Sequence, residues 1–217
     1  MERLKVAVLI SGRGSNLQSL IDACAAPDFP AEIVLVLSNK ADAYGLVRAA
    51  EAGIATTAIS HKAYPDRESF DEALHAEIVA AGAQLVCLAG FMRLLTPGFV
   101  GKWHDRMINI HPSLLPAFKG LHSHERAIEA GCRFTGCTVH FVRAEMDDGP
   151  IIVQAAVPIL PGDSANELSD RVLAAEHRCY PLALRLVAEG KAVVDGAIVR
   201  IADAASPQDA LLNPLAG

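Results

Sequence analysis

The sequence predicts an α/β protein: an open, mostly parallel, doubly wound sheet with helices on both faces, closed by a C-terminal helix and a small hairpin. Three observations carry this. Short apolar runs of strand length alternate with longer segments whose apolar residues recur at helical spacing. Hydrophobic residues make up 52% of the chain and aromatics only 5%, so the core is aliphatic, as in sheets buried on both faces. The first run ends in a glycine-rich turn that opens a helical pattern, the beginning of a βαβ crossover. At 217 residues one main domain is expected over 1–189, with a hairpin and a loosely ordered tail over 190–217.

Bulk properties narrow the class. A net charge of −6 argues against a general nucleic-acid partner. No apolar run approaches the ~20 residues that span a bilayer, and Met1-Glu2-Arg3-Leu4-Lys5 is not the start of a signal peptide, so no membrane association is expected. The five cysteines (Cys24, Cys87, Cys132, Cys137 and Cys179) contain no C-x-x-C pair and point to reduced thiols in the cytoplasm.

Leu4 to Ile10 reads as a buried strand, and the pattern Leu17, Leu20, Ile21, Cys24 as the helix after it. Between them, Ser11-Gly12-Arg13-Gly14-Ser15-Asn16 places backbone N–H groups and a helix N-terminus together, a natural anion site. Leu17 stands where a dinucleotide fingerprint needs its third glycine, and no acid closes the second strand, Ile33 to Leu37. The Gly-Lys-Ser/Thr ending of a nucleoside-triphosphate loop is also missing. A monophosphate cradle at Gly14, Ser15 and Asn16 remains, against the alternative of a plain βα turn that needs glycine for its backbone angles.

Ala43 to Ala52 and Arg67 to Ala81 read as helices, Thr56 to Ile59 and Gln84 to Ala89 as strands. After Gly90-Phe91-Met92-Arg93-Leu94-Leu95, Thr96-Pro97 has the form of an N-cap and first helical residue. Arg106 to Ile110 is a further strand, stopped by Pro112 and Pro116. Residues two apart in a strand face the same way, so Asn109 and His111 share one space at its rim. An amide can donate to a developing oxyanion and an imidazole can move a proton near neutral pH, which suits acyl-type transfer. The same pair also serves elsewhere as a turn cap and a backbone-bonded ring, and the strand end alone does not choose.

Ala117 to His124 reads as loop, and Phe134 to Val142 as the next strand. His122-x-His124 lacks a third ligand at suitable spacing, so no metal is expected. The acidic turn Glu145-Met146-Asp147-Asp148-Gly149-Pro150 can supply a carboxylate to a histidine or be turn chemistry alone; it leads into a strand over Ile151 to Ile159. Ala165 to Glu189 is helical but contains Pro181, which predicts two pieces. Val193 to Val199 reads as a hairpin on an Asp195-Gly196 turn.

Taken in order, Ser11-Gly12-x-Gly14-Ser15-Asn16-Leu17, Gly90-Phe91-Met92-Arg93, Asn109-Ile110-His111-Pro112-Ser113-Leu114-Leu115-Pro116, Gly120-Leu121-His122-x-His124 and Asp147-x-Gly149-Pro150-Ile151-Ile152 resemble the folate-dependent formyltransferases, over Leu4 to Leu186. The resemblance implies a Rossmann-like fold and 10-formyltetrahydrofolate as co-substrate. The Gly14-Ser15-Asn16 loop and Gly-Leu-His-x-His narrow it to formylation of the amine of 5′-phosphoribosylglycinamide in purine synthesis. It implies that Asn109, His111 and Asp147 are catalytic, with Asp148 beside the last. Gly14, Ser15 and Asn16 match the loop holding the substrate phosphate, and Glu176 an acid touching the same substrate. Arg67, Met92, Arg93, Leu94 and Leu95 match folate-pocket positions, as does the loop Arg143, Ala144, Glu145, Met146, Asp147. The expected partners are these small molecules, without metal, nucleic acid or membrane, on a monomer or homodimer. A hydrolase of the same folate, or an enzyme formylating methionyl-tRNA, would use the same scaffold; the phosphate loop speaks against both, and the acidic balance against tRNA. A non-catalytic nucleotide- or folate-binding module would have no need of the proton-transfer groups.

Overall fold

In the computed structural model, residues 2–203, 205 and 207–214 are described. Seven strands form one sheet: β1 (Leu4–Ile10), β2 (Ala31–Ser38), β3 (Thr56–Ala58), β4 (Leu85–Leu88), β5 (Met107–His111), β6 (Phe134–Phe141) and β7 (Ile151–Pro158). Their order is β3-β2-β1-β4-β5-β6-β7. β1 to β5 are parallel, while β6 and β7 run antiparallel to their neighbours. The helices are α1 (Ser15–Cys24), α2 (Tyr44–Glu51), α3 (Arg67–Ala80), α4 (Pro97–Lys102), α5 (Ser123–Glu129) and α6 (Ala165–Ala188). A separate hairpin pairs β8 (Ala192–Asp195) with β9 (Ile198–Ile201).

The pleat of β1 divides the core. Val6, Val8 and Ile10 pack with Leu17, Leu20, Ala49, Ala127, Leu168 and Leu184 of α1, α2, α5 and α6. Ala7 and Leu9 pack on the other face with Phe70, Leu74, Ile78, Phe99 and Val100 of α3 and α4. Alternate residues of an uninterrupted apolar strand thus serve two layers of helices.

Three sequence expectations need correction. First, α6 is not split: it runs through Pro181 without a break. Proline inside a helix costs about 3 kcal/mol, whereas each fully buried large apolar side chain returns about 1.5–3 kcal/mol. Val172, Cys179 and Tyr180 before the proline and Ala183 and Leu184 after it are all buried, so packing prevails. Tyr180 also donates its hydroxyl to the carbonyls of Leu88 (2.9 Å) and Ile108 (3.2 Å), anchoring the helix beside the proline. Second, α5 begins at Ser123, where the sequence pattern predicts loop up to His124; its seven residues bury only Ser123 and Ala127, too little for a helical periodicity. Third, Asp195 pairs with Ile198, so the hairpin loop is Gly196-Ala197, one residue later than expected. Within the tail read as loosely ordered, Asn213 donates to the carbonyls of Arg133 (2.6 Å) and Ile159 (3.1 Å). Ala204, Ser206 and 215–217 of that tail lie outside the described residues.

Candidate active site

The carboxyl ends of β1, β4 and β5 lie side by side, with Leu9 level with Leu88 and Leu88 level with Asn109. The Gly12 loop, the Gly90 loop and the Asn109–His111 strand end therefore open on one edge, where ligands of such sheets bind. Met92 N–H donates to Ser11 Oγ (2.8 Å), tying the second loop to the first.

β6 reverses direction beside β5, so Asn109 faces His140 and His111 faces Thr138 across an antiparallel ladder. His140 Nδ1 lies 2.9 Å from the carbonyl of Phe141, which can only accept, so Nδ1 carries the proton. His140 Nε2 is then an acceptor for the Asn109 amide at 3.2 Å. Burial holds the His140 pKa below its ordinary 6.5, against the pull of the Phe141 carbonyl and Asp147, which favours this neutral form. One amide hydrogen of Asn109 is thereby fixed, and the other is aimed by the same planar group.

His111 is buried. Its Nε2 lies 3.0 Å from the carbonyl of Phe118, and its Nδ1 lies 3.4 Å from Asp147 Oδ2. Both ring nitrogens thus face oxygen atoms, one of a backbone carbonyl and one of a carboxylate. The Nδ1 contact is longer than a good hydrogen bond. Asp147 Oδ2 also accepts from Gly120 N–H (2.8 Å), and Oδ1 lies 3.9 Å from His140 Nε2. Asp148 points elsewhere, to an ion pair with Lys119. Phe118 and Asp147 have φ of 54° and 52°, a region unusual for residues other than glycine. This strain sits on the two groups that hold the His111 ring.

Thr138 fixes the turn after His111. Its hydroxyl donates to the Ser113 carbonyl (2.7 Å) and accepts from Leu115 N–H and the Gln154 amide, each at 3.0 Å.

The second half of the site is the start of α1. Gly14 is its N-cap, left-handed at φ 71°, and no side chain caps the helix. The first N–H groups are therefore free to receive an anion. A Cβ on Gly14 would lie 2.7 Å from Gly45 Cα, and one on Gly45 would lie 2.4 Å from Ile10 Cδ1; Gly45 N–H in turn donates to the Gly12 carbonyl (3.0 Å). The two glycines let α2 press directly on the loop. A cleft of about 370 Å³ runs from Gly12–Asn16 to Ala89, Gly90 and Met92. At its side Asn16 donates to Glu176 Oε2 (2.7 Å), while the buried Asn16 Oδ1 has no partner among the described residues. Burial pushes the Glu176 pKa up, with the Asn16 amide opposing.

Met92 at the cleft, and Leu94, Leu121 and Met146, are exposed apolar side chains. Arg67 donates to the Leu94 carbonyl (3.0 Å), holding the 91–95 segment. Arg143 turns to Asp105 (2.6 Å), and Ala144 and Glu145 are exposed. Among the described residues no group of three or more His, Cys, Asp or Glu side chains is arranged to hold a metal, and no helix is long and apolar enough to cross a membrane.

Residues 4–184 match the family described as Formyl transferase. The chain belongs to that formyltransferase family. Among its members, phosphoribosylglycinamide formyltransferase of Escherichia coli (strain K12) is 48% identical over 188 residues, covering 87% of this chain and 89% of the relative. The human trifunctional purine biosynthetic protein adenosine-3 is 53% identical over 189 residues, but the chain spans only 19% of that relative's length. The crystal structure of glycinamide ribonucleotide transformylase 1 from Symbiobacterium toebii superposes with a TM-score of 0.91 at 50% identity, covering 93% of this chain and 95% of that one.

Sequence reading of this formyltransferase missed His140, Thr138 and Gly45 as parts of the site. His140 and Thr138 were visible as polar residues at alternate positions of an apolar strand. Their partners came from the antiparallel register, which no local pattern announces. Gly45 carried a weaker signal, a glycine in the first turn of a helix.

Proposed function

We propose that this formyltransferase transfers the formyl group of 10-formyltetrahydrofolate to the amine of 5′-phosphoribosylglycinamide, a step of purine synthesis. The observation that carries the reading is the juxtaposition on one sheet edge of the Asn109–His111–Asp147 cluster and the uncapped N-terminus of α1. The first is chemistry for a carbonyl that gains charge; the second is a seat for a phosphate. The E. coli relative's name supports the same substrate.

The ribonucleotide phosphate sits on the N–H groups from Gly14 to Asn16, and Glu176 with Asn16 receives the ribose. Met92, Leu94 and Leu95, the Arg143–Asp147 loop, Arg67 and Arg93 hold the folate. The glycyl amine attacks the formyl carbon, and charge grows on the formyl oxygen. The free hydrogen of the Asn109 amide and the Nδ1–H of His111 meet that charge. Asp147 stabilises the imidazolium, and a water beside it carries the proton from the attacking nitrogen to the departing N10. The C–N10 bond breaks as the tetrahedral centre collapses, with no covalent enzyme intermediate. Five free cysteines, four of them buried, support the reading of a reducing, intracellular setting.

The test is an absorbance assay for tetrahydrofolate production with and without the ribonucleotide. Formyl transfer strictly dependent on the amine is the expected result. Release of free formate at the same rate without amine overturns the reading in favour of a hydrolase.

A further inference from the structure

Three partners in register form a row across the sheet. His111 on β5 faces Thr138 on β6, and Thr138 faces Gln154 on β7, so the three side chains leave the same side of the sheet. The row runs from the imidazole of the site to the outermost strand, where Gln154 is exposed. Hydrogen bonds from Thr138 and Gln154 hold the segment that follows His111.

Gln154 fastens that segment. Its amide nitrogen lies 2.9 Å from the Leu115 carbonyl and 3.0 Å from Thr138 Oγ1. A carbonyl only accepts, so the atom facing it is the amide nitrogen and not the amide oxygen. The Thr138 hydroxyl has one hydrogen and two lone pairs. Leu115 N–H (3.0 Å) and the Gln154 amide fill the lone pairs, and the hydrogen goes to the Ser113 carbonyl (2.7 Å). Every bond of this buried hydroxyl is thus assigned. Ser113 carries the order onward: its N–H donates to the His111 carbonyl (2.9 Å) and its hydroxyl to the Ala117 carbonyl (2.6 Å). The next carbonyl, that of Phe118, faces His111 Nε2 at 3.0 Å, from a residue held left-handed at φ 54°. Such a backbone persists only where its surroundings over-determine it.

We propose, on the role given to His111 above, that Gln154 is a positioning residue for formyl transfer: by donating to Leu115 and Thr138 it locks the 113–118 turn, and the turn sets the plane of the His111 ring. Gln154 stands two strands away from β5 and acts through the turn, not on a reacting atom. Without its N–H groups the buried Leu115 carbonyl loses this donor, a lone pair of Thr138 opens, and the hydroxyl is free to rotate away from Ser113. The Phe118 carbonyl then shifts, and the ring with it. A misplacement of about 1 Å costs about 10²-fold in rate, so even a slight loosening of the turn is read in turnover.

The experiment uses the intact protein and two variants, Gln154→Met, which keeps the length, and Gln154→Glu, which keeps the shape; as a carboxylate the second also lacks the N–H donors. Each is first shown to unfold cooperatively in urea, and either one suffices. The expected result is a kcat lowered by about ten- to a hundred-fold, with KM for both substrates within about two-fold of wild type. In single turnovers in the His111→Ala background, the same change at Gln154 should alter the rate by less than about two-fold, because its effect runs through the ring. In ligand-free protein labelled with ¹⁵N-histidine, the His111 ring signals, assigned by their loss in His111→Ala, should move in the Gln154 variants while those of His104 stay. A wild-type kcat, a loss confined to KM, a full further loss in the His111→Ala background, or unmoved His111 signals each overturn the proposal. The ring signals need no substrate. Should the wild type transfer no formyl group to the ribonucleotide, the reading of the reaction fails on that result, and the signals alone decide whether Gln154 holds the ring.

Discussion

Asn109 does not act alone, because its amide is oriented by a histidine on another strand. The proposed chemistry predicts that Asn109→Ala lowers kcat by about 10²–10³-fold, the usual cost of one oxyanion donor, with the urea midpoint nearly unchanged. His111→Ala and Asp147→Asn should also depress turnover strongly; near-wild-type rates in all three variants would refute the mechanism. His140 makes a separate pH prediction. A histidine whose folded pKa lies below its unfolded value gives stability that is present above the unfolded pKa and lost as pH falls through the folded one. The His140 pKa is lowered from 6.5, so acidification from pH 7.5 to 5 should cost the wild type more stability than His140→Gln, measured by urea unfolding at each pH. At this scale the sequence was legible for Asn109 and His111, because a strand of period two stopped by prolines puts both on one face. Asp147 came from the resemblance, since an acidic turn has the same composition whether it bonds a histidine or only turns the chain. His140 was not legible as a site residue, because its partner lies 31 residues away across a ladder.

Each element carries a test of its own. α6 opens with a capping box: Ser164 accepts from Glu167 N–H, and the Glu167 carboxylate returns to Ser164 N–H (2.9 Å). Ser164→Ala should therefore cost about 1 kcal/mol in urea unfolding. α1 has the opposite character, with no cap and a left-handed glycine in front of it. Gly14→Ala should destabilise the protein by about 1–3 kcal/mol, since the new methyl meets Gly45 in a backbone conformation costly for alanine, and should weaken ribonucleotide binding in the same titration. The elements themselves were largely legible, because most are long enough to repeat their pattern. α5 was too short to do so. The break expected at Pro181 failed because a local rule worth about 3 kcal/mol competes with several buried side chains that the rule does not see.

The molecule as a whole divides labour between a layered core and one edge. The layering was readable from β1, whose apolar residues occupy both faces. The closing antiparallel pair was less so, because strand direction leaves no mark on an isolated apolar run. If the edge binds as proposed, removing the phosphate from the ribonucleotide should weaken its affinity by at least about 1.5 kcal/mol, the lower end for a charged hydrogen-bonded contact; equal affinities by calorimetry would exclude the α1 seat. The antiparallel turn of β6 has a further implication for how this catalyst tolerates change. Asn109 and His140 meet only because two chain segments are counted off against each other correctly, and next door Val139 and Phe141 belong to the core. Deleting one residue between Phe134 and Val139 would present an aliphatic or aromatic side chain to the amide while sending the imidazole into the hydrocarbon interior. A change of length within this ladder therefore removes the pairing that orients the amide.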